Sequence, residues 1–160
     1  MTTERTLAMD TTHYQNESAL VGDSDEDTVL LRSMASDARK YLAGFSWCPA
    51  IRVVYLADGI GGVVAVFLVE LAEKLGGQDG FLWVILGDLP SAYLVTDEIS
   101  NPREAIESYC EIMDEWIAAV RSGKGLHDAF PVGVQPSLEN AQLLAKRLDF
   151  LRETVAPSFS

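Results

Sequence analysis

The hydrophobic residues of this chain follow two patterns, one typical of strands and one typical of helices. Residues 81–86, with the sequence FLWVIL, are apolar at every position, which indicates a strand covered on both faces. A second apolar run, 92–96, comes after GDLPS, whose glycine, aspartate and proline favour a turn. The pattern therefore predicts two neighbouring strands in the middle of a sheet.

Two more strands are predicted upstream of this pair. Residues 51–57, IRVVYLA, are rich in the β-branched and aromatic residues that strands favour. The segment 63–75 is ambiguous, because it begins with VVAVFLV but then continues as ELAEKL, which resembles the end of an amphipathic helix. As a helix it would turn residues 51–86 into a βαβ unit. A strand at 63–71 is favoured, because β-branched residues lose side-chain freedom in helices.

Three segments repeat apolar residues every three or four positions, which is the period of an amphipathic helix. The first, residues 25–42, follows Ser24, a residue type that caps helix starts. The second spans residues 102–121. The third begins near Ser137 and is expected to end before Pro157.

The second helix has the clearest sequence signature. Asn101, Pro102 and Glu104 fit the N-cap, the first position and the third position of a helix. One side of it is apolar. The residues on that side are Ile106, Tyr109, Cys110, Met113, Trp116, Ile117 and Val120.

Together these elements predict a single α+β domain with one N-terminal and two C-terminal helices packed on an antiparallel sheet of about four strands. Residues 1–23 contain too few apolar side chains to offset the entropy of ordering them. They are expected to form a disordered acidic tail, which leaves the domain at residues 24–160. The predicted strands are 51–57, 63–71, 81–87 and 92–96.

The charge of the chain restricts the classes of partner. Twelve basic against twenty-four acidic residues leave a net charge of −12 over 160 residues, which repels nucleic acid and anionic membranes and favours a basic partner. No apolar run approaches the roughly 18 residues of a membrane span, and the N-terminus lacks a signal-peptide pattern. The two cysteines, Cys48 and Cys110, are expected to be free thiols in the cytoplasm.

The turn DGIGG after the first predicted strand is a candidate ligand loop. It differs from dinucleotide-binding and P-loop motifs, because the G-x-G-x-x-G spacing and the P-loop lysine are absent. A structural turn is therefore the favoured interpretation. The alternative is a small-molecule-binding protein or an enzyme that uses the loops 58–62 and 87–91. The residues of this alternative site are Asp58, Gly59, Gly61, Gly62 and Asp88.

Catalytic and metal-binding signatures are weak. His13 and His127 are isolated in the sequence, which argues against a cluster of metal ligands. Asp88, Asp97 and Glu98 lie at strand ends, but turn capping and solvation explain them, and neither aspartate has a histidine or cysteine partner visible in the sequence. The sequence predicts no catalytic residue, no metal and no cofactor.

The outer face of the second predicted helix is strongly acidic. Glu107, Glu111 and Glu115 place like charges four residues apart, and each such pair destabilises an isolated helix by about 0.2 to 0.5 kcal/mol. A solvated surface is the simpler interpretation of this face, and a docking surface for a basic protein is the functional one. The candidate partner-binding residues are Glu104, Glu107, Glu111, Asp114, Glu115 and Trp47.

The tryptophans divide between core and surface. Trp83 and Trp116 belong to apolar runs and are expected in the core. Trp47 lies in a predicted loop, where it is as well suited to a recognition surface as to the core. Exposure of Trp47 and Phe45 would favour self-association, so a homo-oligomer is left open.

Four segments of the chain resemble a family of small, functionally uncharacterised bacterial cytoplasmic proteins. They are ADGIGGVVAVFLVEL, LWVILGDLPSAYLVTD, NPREAIESYCEIMDEWIAAV and PVGVQPSLENAQLLAKRLDFL, and they lie within about residues 45–155. The resemblance implies no activity and no catalytic residues that carry over. In size, acidity and α+β layout the chain is also similar to the immunity proteins of bacterial toxin systems. We therefore expect an acidic, non-catalytic binding protein of immunity or inhibitor type.

Overall fold

The computed structural model describes residues 9–74, 80–123, 125–127 and 129–159. The first eight residues of the expected tail, together with residues 75–79, 124, 128 and 160, lie outside the described residues. The described strands form one antiparallel sheet in which each strand pairs with the next along the chain. They are β1 Gln15–Asn16, β2 Ile51–Ile60, β3 Val64–Leu71, β4 Phe81–Gly87 and β5 Leu89–Val95.

Helices cover both faces of this sheet. Helix α1 (Asp25–Ala43) packs on one face, and α2 (Pro102–Ser122) and α3 (Leu138–Phe150) lie on the other. Leu151–Val155 continue α3 as one wider π turn, and a 3₁₀ turn, Ala156–Ser158, follows. The predicted α+β class is confirmed, with five strands where about four were expected.

The helix starts follow the capping residues that the sequence indicated. Ser24 accepts a hydrogen bond from the Asp27 N–H at 3.1 Å, and Asn101 accepts one from the Glu104 N–H at 2.9 Å. Ser137 begins α3 in the same way. Each bond satisfies an amide that has no partner inside its own helix.

The two central strands contribute side chains to both faces of the sheet. In β4, Trp83 and Ile85 pack toward α2 and α3, whereas Leu82, Val84 and Leu86 pack toward α1, and all five are buried. Strand β3 alternates in the same way. This confirms that the run 81–86 is covered on both faces and that the ambiguous segment forms a strand rather than a helix.

The predicted turns are shorter than expected. Asp58 and Gly59 still belong to β2, and the β4–β5 turn contains only Asp88, so β5 begins at Leu89 and not at 92. Gly87 makes this tight turn possible with a φ of 150°. A Cβ at that position would lie only 2.3 Å from the Val63 carbonyl oxygen, which explains the glycine.

The N-terminal segment corrects the boundary expected at residue 24. Gln15 and Asn16 pair with β2, Leu20 is fully buried under α1, and the Tyr14 ring lies edge-on to Trp83 with centroids 6.2 Å apart. A polar segment with only a few apolar residues has neither the period of a helix nor that of a strand, so the sequence pattern did not predict its structure. From residue 9 onward, it is nevertheless part of the domain.

Glu17 attaches this segment to the domain through charge. Its carboxylate accepts two hydrogen bonds from Arg39, at 2.6 and 2.9 Å, and one from the Val54 N–H at 3.0 Å. The hydrogen bonds from Arg39 lower the pKa of Glu17, although burial acts in the opposite direction. The N-terminal segment is thus held by the apolar contacts of Leu20 and Tyr14, one ion pair and a short strand.

Candidate functional site

Helix α2 presents its acidic residues to solvent because its apolar residues face the core. Ile106, Tyr109, Cys110, Met113 and Trp116 are buried against the sheet and α3. The opposite side carries the five acidic residues singled out in the sequence, four of them exposed and Glu104 half-buried. We call this surface the acidic face; it comprises Glu104, Glu107, Glu111, Asp114 and Glu115.

Three of the five carboxylates on the acidic face have partners. Glu107 pairs with Arg103 at 3.6 Å, and Asp114 pairs with Arg152 at 2.5 Å. Glu104 accepts hydrogen bonds from the Ser100 N–H and hydroxyl at 2.8 and 3.0 Å, which lower its pKa. Glu104 therefore also stabilises the start of the helix.

The other two carboxylates are available to solvent. Within the described ranges, Glu111 and Glu115 form no ion pair, and both are exposed. Five carboxylates against the two guanidinium groups of Arg103 and Arg152 leave this face with a net charge of about −3. The Arg152 pair joins residues 38 positions apart, so local spacing gave no signal for it.

A shallow groove of about 350 Å³ lies along the acidic face. Ile106 and Ala156 are buried beneath it, so its apolar surface comes from the aliphatic parts of the lining arginine and glutamate side chains, and Glu111 adds an unpaired carboxylate beside the two ion pairs. A lysine or arginine side chain needs this combination, because its stem is apolar and its head is charged. The residues lining the groove are Arg103, Ile106, Glu107, Glu111, Arg152 and Ala156.

The two cysteines do not supply reactive thiolates. Cys110 is fully buried beneath the acidic face, and burial raises the pKa of its thiol to about 11. Cys48 is half-buried, and burial also raises its pKa. Both are free thiols, and Cys110 lies on the apolar side of α2 as predicted.

Of the predicted residues of the alternative ligand site, Gly62 and Asp88 line one cavity at an end of the sheet, whereas Asp58, Gly59 and Gly61 do not. The β2–β3 and β4–β5 turns are neighbours there, because the Asp88 N–H donates to the Val63 carbonyl at 2.9 Å. An open cavity of about 500 Å³ lies between these turns and α1. Its lining residues are Met34, Asp37, Gly62, Leu86, Gly87, Asp88 and Ser91.

The glycines of the DGIGG turn have structural explanations. A Cβ at Gly59 would lie 3.0 Å from side-chain atoms of Leu31 and Ala65, so a larger residue there would be crowded by α1 and β3. The Gly61 N–H donates to the Asp27 carboxylate at 2.8 Å, and a Cβ there would clash with the same oxygen. These contacts favour the structural interpretation of the turn.

The aspartates of the alternative site also have local partners. Asp58 accepts a hydrogen bond from the Gly59 N–H at 2.9 Å, and burial raises its pKa. Asp88 pairs with Arg147 at 3.0 Å, and the Arg147 Nε also donates to the Asp88 carbonyl. Neither aspartate lies beside a histidine or cysteine in these contacts, so the geometry points to no acid–base catalyst there.

Trp47 belongs to an aromatic cluster and is not grouped with the acidic residues. Its ring stacks on Phe45 with centroids 5.3 Å apart and contacts Tyr93 at 5.1 Å, and Phe130 continues the cluster. Trp47 is 41% exposed at the rim of this cluster. The structure therefore separates Trp47 from the acidic face with which the sequence grouped it.

Other candidate chemistry has no geometric support in the described part of the chain. His13 and His127 are both exposed, and no three His, Cys, Asp or Glu side chains among the described residues converge as metal ligands. None of the described helices has the length and apolar composition needed to cross a bilayer. No protein-family profile matches this chain, and neither curated proteins nor solved structures give a match, so its resemblance to a bacterial family stays a prediction.

Proposed function

We propose that this protein is an acidic, non-catalytic binding module of immunity or inhibitor type, which docks a basic protein on the acidic face of α2. The observation that carries the proposal is the excess of carboxylates on an exposed helix face, with Glu111 and Glu115 unpaired among the described residues. A helix optimised only for stability would intersperse lysines at these positions.

The arrangement of charge suits recognition of a basic surface. Arg103 and Arg152 are 51% and 42% exposed, so a partner's cations can displace them from Glu107 and Asp114 at low cost. Negative charge on one face accelerates the encounter with a positive partner, chiefly through the association rate. The groove beside Glu111 then receives the side chain of a lysine or arginine.

A second candidate function is binding of a small molecule at the β2–β3 and β4–β5 turns. The cavity of about 500 Å³ favours it, because its size falls within the range of ligand sites. The polar groups of this cavity weaken the candidate, because the Asp88 carboxylate already pairs with Arg147 and is not free to bind a ligand. A ligand that raises the melting temperature of the wild type, but not of an Asp37→Ala variant, would support this function over docking.

The cytoplasm is the proposed setting. Cys48 and Cys110 are both unpaired thiols, and Cys110 is buried as a small hydrophobic residue. Such cysteines are common where the environment is reducing.

The test of the docking proposal is neutralisation of three acidic residues. The variant Glu107→Gln/Glu111→Gln/Glu115→Gln should keep its fold and gain slightly in helix stability, because like-charge repulsion is relieved. Its association with the basic partner, identified by pull-down, should slow at low salt, and the salt dependence of the rate should flatten. Stopped-flow kinetics at two salt concentrations measure both effects.

A matched control removes three negative charges elsewhere. The variant Glu26→Gln/Asp37→Asn/Glu73→Gln changes exposed acids outside α2 and should retain most of the association rate. Equal slowing of the two variants would mean that total charge, rather than the acidic face, attracts the partner. An unchanged rate and salt slope in the α2 variant would rule out the acidic face as the docking surface.

A further inference from the structure

The outer side of α3 leaves large apolar side chains in solvent. Ala141, Leu144 and Leu148 form its buried side, whereas Leu143 is 46% and Phe150 is 44% exposed. Val134 and Leu138 add further exposed apolar surface before and at the start of the helix. Single exposed apolar residues are common, but four within one short segment mark a candidate interaction surface.

Four exposed residues of α3 form a row with alternating character. Glu139, Leu143, Lys146 and Phe150 follow at steps of four, three and four, so they lie along one face of the helix. The row reads acidic, apolar, basic, apolar. Among the described residues, neither Glu139 nor Lys146 forms an ion pair.

We propose that this row is the interface for a second copy of the same chain, with the two α3 helices packed antiparallel about a two-fold axis near Leu143. In that arrangement Glu139 lies opposite Lys146 of the second copy, and symmetry repeats the pair on the other side of the axis. Leu143 meets its own counterpart at the centre. A parallel arrangement would instead place like charges together.

The charge balance of this surface favours a second copy as the occupant. Each chain carries a net charge of −12, so two copies repel one another over most of their surfaces. The four-residue row itself is neutral, because Glu139 is balanced by Lys146, and the neighbouring Asp88 is paired with Arg147. Two copies meet there without the repulsion that opposes contact through the acidic face.

Two cavities beside the row can receive apolar side chains of the second copy. One of about 320 Å³ lies between Leu143, Val134 and Pro90, and another of about 270 Å³ lies between Phe150 and Val63. Antiparallel packing about Leu143 directs Phe150 of one copy toward Val134 of the other. The contact area of one helix face is small, so we expect a weak, concentration-dependent dimer.

Charge reversal tests this arrangement. Glu139→Lys and Lys146→Glu each convert two attractive contacts into two repulsive ones, so each should weaken self-association by roughly tenfold. The double variant Glu139→Lys/Lys146→Glu restores opposite charges across the axis and should return to the wild-type dimerisation constant. Sedimentation velocity over a concentration series, near physiological ionic strength, measures all four proteins.

Matched controls carry the same charge changes on α1. Lys40→Glu and Glu26→Lys alter exposed residues outside α3 and should leave self-association unchanged. A wild type that stays monomeric at every concentration overturns the proposal. It is equally overturned if the double variant is no better than the single variants, or if the controls weaken association to the same extent.

The proposal is independent of the docking function. The triple glutamine variant of α2 leaves the α3 row unchanged and should dimerise at least as well as the wild type, because it carries less negative charge. Circular dichroism spectra of all the variants should match that of the wild type, because the substituted side chains are exposed. A negative result for docking on the acidic face therefore does not contradict dimerisation through the α3 row, and the reverse also holds.

Discussion

The two faces of the sheet are closed by different means. One face is covered by a single helix, α1, and the other by α2, α3 and the turns that follow α3. Five strands about 4.8 Å apart span roughly 20 Å, whereas one helix covers about 10 Å. Two helices therefore cover their face, while a single helix leaves a margin that another element has to fill.

The part of the N-terminal segment around Leu20 fills this margin on the α1 face, whereas Tyr14 of the same segment packs on Trp83 on the opposite face. Leu20 packs under α1, and Glu17 joins Arg39 of that helix to the Val54 amide of β2. On the opposite face, the bulk of the core comes from Trp83, Tyr109 and Trp116. The comparison indicates that one layer depends on large aromatic side chains and the other on an edge segment held by few contacts.

Truncation of Trp83 should have the largest effect on stability. Trp83 is fully buried and donates a hydrogen bond from Nε1 to the Ile99 carbonyl at 3.1 Å. We expect Trp83→Ala to lower the free energy of unfolding by about 3 to 5 kcal/mol, because it leaves a large cavity. Urea denaturation measures the loss, and the Trp83 fluorescence of the wild type should be blue-shifted.

Trp47→Ala is the matched control for this substitution. Trp47 is 41% exposed at the rim of its cluster, so its loss should cost about 1 kcal/mol. Similar losses for the two variants would contradict the division of the tryptophans between core and surface.

Substitution of Leu20 tests whether the N-terminal segment closes the α1 face. Leu20 is fully buried, so Leu20→Ala should lower the free energy of unfolding by about 2 to 4 kcal/mol. Val21→Ala, next to it but 57% exposed, should be nearly neutral. A neutral Leu20→Ala would return residues 9–23 to the tail that the sequence suggested.

Glu17 should have a smaller, pH-dependent effect. Its pKa is lowered below the usual value for a glutamate, mainly by the hydrogen bonds from Arg39, so its stabilisation is present at neutral pH and is lost as the pH falls through the folded pKa. We expect Glu17→Gln to cost about 1 kcal/mol at pH 7. The difference from the wild type should shrink in denaturation curves below pH 4.5. A constant difference across this range would mean that the carboxylate charge is not the stabilising feature.

Local pattern was sufficient for most of the secondary structure. The all-apolar run 81–86 predicted a strand covered on both faces, and the β-branched residues of 63–71 predicted a strand where a helix was the alternative. Capping residues such as Asn101 set the helix starts. These features depend on the order of side chains within a few residues, which the sequence displays directly. The acidic face of α2 was predicted for the same reason.

The sequence alone did not decide which side chains meet across the fold. Asp114 pairs with Arg152 and Asp88 with Arg147 over 38 and 59 residues, so these contacts depend on how the elements pack. Packing likewise accounts for Gly59, where an added side chain would be crowded by Leu31 of α1 and Ala65 of β3. The docking of residues 9–23 also depended on tertiary structure, because a short polar segment gains enough burial only when a sheet edge and a helix already form its site.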